Sequence, residues 1–118
     1  MSELREKQIE TLTTLVDYMP RLMRGIEEAS QALLEDKQNE AYVLFDQILE
    51  GYEWVTQAVS LTNTLHETPI DLKESFRIIK ELFEALEAKD TITLSDLMQY
   101  ELLPILEEWQ NRLNTIRQ

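Results

Sequence analysis

The sequence predicts an all-α protein folded as an antiparallel four-helix bundle, and three observations predict it. Apolar residues recur at three- and four-residue intervals almost throughout, which is the period of a helix and not of a strand. Only two glycines and three prolines punctuate 118 residues, too few to bound a series of short strands. The apolar stripes fall into four stretches separated by polar segments, and two helical hairpins bury such stripes most economically against each other. With 43% hydrophobic residues the chain can form one domain over residues 1–118 with its own core.

In the first stretch Leu12, Leu15, Val16, Met19, Leu22, Met23, Ile26, Ala29 and Leu33 trace one stripe, with Glu10, Asp17, Arg24, Glu28 and Glu35 mostly off it. Pro20 interrupts the stripe, because it lacks an amide donor and crowds the carbonyl four residues earlier. The stretch therefore either bends there or divides into two helices. The polar run Glu35-Asp36-Lys37-Gln38-Asn39 predicts a tight turn into a second helix with Ala41, Leu44, Phe45, Ile48, Tyr52, Val55 and Val59 on its inner face. These two helices make a first hairpin over about 3–61.

Residues 62–70, with Thr62, Asn63, Thr64, His66, Thr68 and Pro69, have poor helix propensity and predict the linker between hairpins. Asp71 followed by Glu74 has the form of a capping box and starts a third helix, whose stripe is Leu72, Phe76, Ile79, Leu82, Phe83 and Leu86. That helix ends near Lys89-Asp90-Thr91. A fourth runs from about Thr93 to Ile116, and Pro104 must bend or cut it. The second hairpin thus covers about 71–117.

Shifting the chain by 53 positions lays Met23-Arg24 on Phe76-Arg77, Ile26 on Ile79, Ala32-Leu33 on Ala85-Leu86 and Leu44-Phe45 on Leu97-Met98. The overlay suggests a duplicated hairpin, although two unrelated amphipathic hairpins align in the same way. Both origins lead to the same bundle.

The composition removes most chemistries. A formal net charge of -12 repels phosphate backbones and anionic lipid, so no nucleic-acid partner and no membrane insertion are expected. There is no cysteine to supply a thiolate, a disulfide or a sulfur ligand, and there is only one histidine. The first residues lack an apolar signal core, and the longest uncharged run, Trp54 to His66, is short and polar-broken, so the expected location is cytoplasmic.

Carboxylates are the one plentiful reagent. Glu50 and Glu53 form one pair at i, i+3, and the row Glu81, Glu84 and Glu87 resembles the acidic motifs of the all-helical nucleotide pyrophosphohydrolases, a resemblance that implies a magnesium-dependent hydrolase. Stepping 100° per residue turns Glu50, Glu53, Glu81 and Glu84 away from their apolar stripes and toward water, the reverse of what a bundle metal site needs. His66 follows Asn63 and not a glutamate, so no di-iron motif forms, and it is read as a surface histidine. The expectation is a protein with no catalytic residue, no metal ligand and no cofactor.

Binding is the better-supported class. From Gln38 to Leu72 there is no Lys or Arg, while Glu40, Asp46, Glu50, Glu53, Glu67 and Asp71 are all acidic; between Lys89 and Arg112 the pattern repeats. The two acidic helices also carry apolar residues that their core stripes do not use. Val43, Trp54 and Leu61 lie within about 20° of one another on an outer stripe, and Leu97, Tyr100 and Pro104 cluster away from Met98, Leu102, Leu106 and Trp109. An apolar strip edged by acids suits a basic amphipathic helix, so Trp54, Val43, Leu61, Leu97 and Tyr100 are the candidate partner-binding residues. Three other uses of the strip remain open: cover by the N-terminal residues Leu4 to Leu15, rotation of Leu97 and Tyr100 into the core at Pro104, and a homodimer contact of a self-associating structural bundle.

At the level of bundle and composition the chain resembles the small acidic helical-bundle proteins of bacteria, including export chaperones of the flagellar type. That resemblance implies a small chaperone or adaptor that holds a partner's amphipathic helix. It assigns no residue a role.

Overall fold

The computed structural model describes residues 2–117 and is an all-α antiparallel bundle measuring 52 × 22 × 20 Å. Helix α1 (Glu3–Leu34) spans the long dimension, as a helix of its length should at 1.5 Å per residue. Its start is capped by Ser2, whose hydroxyl accepts from the Arg5 amide at 3.2 Å. Pro20 lies inside α1, which runs unbroken, so the division of this stretch into two helices does not occur. Leu15, Val16, Met19 and Leu22 are buried on both sides of Pro20. Burial of about 1.5–3 kcal/mol per large side chain outweighs the roughly 3 kcal/mol that an internal proline costs.

Helix α2 (Gln38–Thr62) returns antiparallel along α1 and leads through a 3₁₀ turn (Asn63–Leu65) into the linker. Helix α3 (Lys73–Glu87) follows, then α4 (Thr91–Leu97), a π-helical turn (Met98–Leu102) and α5 (Leu103–Arg117), which together form the fourth arm. The π turn ends two residues before Pro104 and has a physical cause. Proline cannot donate to the carbonyl of Tyr100 and its ring crowds that group; widening the turn, with the Leu103 amide bonded to the Met98 carbonyl, relieves both.

Helix α1 is the central packing partner: it lies against α2 on one side and against α4 and α5 on the other, while α3 packs on α4. The core runs through Leu15, Met19, Ile26, Val55, Val59, Ile78, Leu82, Met98, Leu102, Leu106 and Leu113. Ser30 and Ser95 share a buried hydroxyl hydrogen bond at 2.8 Å between α1 and α4.

The α2–α3 edge is closed by long side chains, where Phe83 meets Phe45 and Phe76 meets Tyr52 edge-to-face, and the Tyr52 hydroxyl pairs with Ser75 at 2.7 Å. Burial pushes the Tyr52 hydroxyl above its ordinary pKa, with the Ser75 bond opposing. Here the expected α3 stripe is corrected. Ser75, Ile78, Leu82 and Ala85 point inward, and Phe76 and Phe83 stand half-exposed on the flank. With this face inward α3 packs on α4 and the π turn, nearly a quarter turn from the phase its phenylalanines suggest.

Both hairpin turns are built alike. At the first, the Lys37 amide bonds to the Ala32 carbonyl and the Asp36 amide to Leu33; at the second, Asp90 bonds to Ala85 and Lys89 to Leu86. Asp36 and Lys89 take the left-handed conformation, with φ of 62° and 56°. These are Schellman closures, and every member is offset by 53 positions from its counterpart, the offset of the sequence overlay. Asp90 then caps α4 by accepting from the Thr93 amide and hydroxyl, which holds its carboxyl below the usual range.

Two expectations at the linker change. Asp71 accepts from the Lys73 amide at 2.9 Å, but Glu74 does not complete a capping box, because its carboxylate pairs with Arg77, which also holds Glu81 and Glu101. His66 is buried and not a surface residue, and neither ring nitrogen has a hydrogen-bond partner. The linker folds inward because three side chains fasten it. Asn63 exchanges two hydrogen bonds with the Ile70 backbone, Gln8 of α1 donates to the Leu61 carbonyl and to Thr64, and Arg112 of α5 donates to the Thr68 carbonyl. Burial, and then the Arg112 charge, hold the His66 pKa below its ordinary value.

Candidate functional site: the seam of α1 and α2

An open cleft between α1 and α2 begins with a glycine in the middle of a helix. Gly51 contributes nothing to the propensity of α2, but it lets the Tyr18 ring of α1 cross the helix at close range. Tyr18 then meets Trp54, one turn further along α2, edge-to-face with ring centroids 5.6 Å apart and planes at 79°. Thr14, Gln47 and Glu50 complete an open cleft of about 540 Å³ around these rings.

A second hollow of about 200 Å³ continues the seam toward Gly25, floored by Leu22, Leu44 and Ile48 and rimmed by Arg21; it shares Tyr18 and Gln47 with the first. Both glycines of the chain therefore line one seam.

The candidate residues separate into two groups. Trp54 is 38% exposed, and Val43 and Leu61 on the same outer stripe are exposed as well. Tyr100, 67% exposed, stands apart on the π turn, with Pro104 exposed after it. Leu97 is corrected: at 7% exposure it belongs to the core and not to any surface strip. The reason is that α4 packs against α1 and α3 at once, so it buries a wider arc than a single stripe. The residues Leu4 to Leu15 do not cover the outer stripe of α2; they continue α1, with Leu12 and Leu15 buried and Leu4 exposed.

Sequence reasoning missed Tyr18, Gly51 and Gln47. Gly51 offered a signal, since an isolated glycine inside a strong helical pattern marks a close approach, but the identity of the approaching side chain is a tertiary fact.

Glu50, Glu53 and Glu84 are exposed, and Glu81 is engaged by Arg77. Among the described residues no three His, Cys, Asp or Glu side chains are grouped closely enough to share a metal ion. No described helix is long and apolar enough to cross a membrane. What the seam offers is aromatic surface beside the Glu50 carboxylate at one end and an apolar hollow with Arg21 of α1 at its rim at the other, with no Lys or Arg anywhere on α2.

Residues 10–112 match the family model described as a domain of unknown function (DUF8042), whose span runs from the first half of α1 into α5. No curated protein and no solved structure matches the chain.

Proposed function

The chain belongs to the DUF8042 family, and on that premise we propose that it is a non-enzymatic docking module that holds a basic amphipathic helix of another protein against the α1–α2 seam. The observation that carries this reading is the half-exposed Trp54, held at a fixed angle by Tyr18 beside an open cleft on a helix free of positive charge. A rigid aromatic anchor supplies contact area at low entropic cost, and the acidic surroundings steer a basic partner into register. Val43 and Leu61 extend the apolar rim along the same stripe. The role is that of a cytoplasmic adaptor or small chaperone, in the manner of the bacterial export chaperones the chain resembles, and it requires no cofactor.

The test is a side-by-side capture from native cells with wild type and Trp54→Ala as baits. The reading expects one protein retained by the wild type and lost from the variant, with both baits folded and equally helical at the capture temperature. Equal retention by both would overturn it. Two other outcomes name the competing functions: a concentration-dependent mass in sedimentation that Trp54→Ala abolishes marks a self-associating bundle, and a melting point raised by millimolar magnesium marks a carboxylate metal site.

A further inference from the structure

The two hollows of the seam differ in chemistry and have a fixed separation. The Tyr18–Trp54 cleft has two aromatic rings and the Glu50 carboxylate, and no cation lines it. The hollow at Gly25 is floored by Leu22, Leu44 and Ile48, with Arg21 at its rim. A Cβ on Gly25 would meet only Ile48, at an ordinary van der Waals distance of 3.8 Å, so nothing crowds the backbone there. From Gly51 to Leu44 along α2, and from Tyr18 to Gly25 along α1, the step is seven residues, or about 10 Å at 1.5 Å per residue. A helix laid along the seam presents residues seven apart on one face at the same interval.

We propose that the seam reads its partner at two points: a guanidinium or ammonium side chain enters the Tyr18–Trp54 cleft, and an apolar side chain seven positions away enters the hollow at Gly25. The proposal rests on the docking reading above and adds a register to it. A cation over aromatic faces is attracted by their quadrupoles, and Glu50 supplies the counter-charge. Arg21 repels a cation at the other hollow, so the two points are not interchangeable.

The probe is a fluorescently labelled synthetic amphipathic helix of about 18 residues, long enough to be helical, with an arginine and a leucine seven positions apart on its apolar face. Its binding is read by anisotropy. Exchanging that arginine for neutral citrulline is expected to weaken binding by about tenfold or more, and Glu50→Gln in the protein to do the same. The same exchange on the opposite face of the helix should change binding less than about twofold, which separates the cleft from the general attraction of an acidic protein. Replacing the leucine by alanine should also weaken binding.

Equal losses from the two citrulline exchanges, or no loss from either, would overturn the cation point while leaving the docking reading to its own capture test. Failure of the wild type to bind the arginine helix at all would overturn the two-point register.

Discussion

Tyr18 lies across α2 only because position 51 is glycine: a Cβ there would overlap the Tyr18 hydroxyl and stand 3.1 Å from its Cζ and 3.2 Å from Leu22 Cδ1. The two glycines of the seam therefore make opposite predictions. Gly25→Ala makes only an ordinary contact with Ile48 and should stabilise the protein by about 0.5–1 kcal/mol through helix propensity. Gly51→Ala gains the same propensity but must displace a ring and a methyl group at a cost of about 1–3 kcal/mol, so the net effect is destabilising. Urea denaturation of the two variants checks the contrast, and Gly51→Ala should also alter the Trp54 emission as Tyr18 moves.

The two tryptophans should separate in the same assay. Trp109, 3% exposed in the core, should cost about 3–5 kcal/mol when replaced by alanine. Trp54→Ala removes a half-exposed ring and should cost clearly less than 3 kcal/mol while abolishing partner capture. A loss at Trp54 as large as at Trp109 would place it among the structural residues.

Stability should fall on mild acidification because of His66. Its ordinary pKa is 6.5 and its folded value is lower, so above pH 6.5 both states are neutral and the full stability is present. Below pH 6.5 the unfolded chain takes up a proton that the buried ring refuses, and stability falls until the folded pKa is passed. His66→Leu should flatten the curve between about pH 7 and 5.5, before the carboxylates titrate. Thermal melts across that window give the measurement; an unchanged slope would mean that His66 titrates freely in the folded protein.

The Ser30–Ser95 pair predicts non-additive losses. Either serine changed to alanine leaves a buried hydroxyl without its partner, at about 1–3 kcal/mol, whereas the double alanine variant should cost less than the sum of the two. A double-mutant cycle measured by chemical denaturation reads the coupling.

The two turns can be improved. Asp36 and Lys89 hold left-handed conformations that glycine adopts freely, so Asp36→Gly and Lys89→Gly should each stabilise the bundle by about 1 kcal/mol, read as a higher melting temperature.

The helix period, the central stripe of α1, the two short turns and the outward phase of Val43, Trp54 and Leu61 were all legible in the sequence, because each follows from spacing along a single helix. What a helix does at its flanks was not legible. Leu97 is buried because α4 is packed from two sides, Phe76 and Phe83 turn outward because α3 packs on α4 and the π turn with the face of Ser75, Ile78, Leu82 and Ala85 inward, and His66 is sealed in because Asn63, Gln8 and Arg112 draw the linker down. Periodicity measures only the angle of a side chain about its own axis. The number of neighbours each helix meets, and how closely, is set by residues far away in the chain, and the cleft that Tyr18 forms over Gly51 comes into being only when α1 and α2 meet.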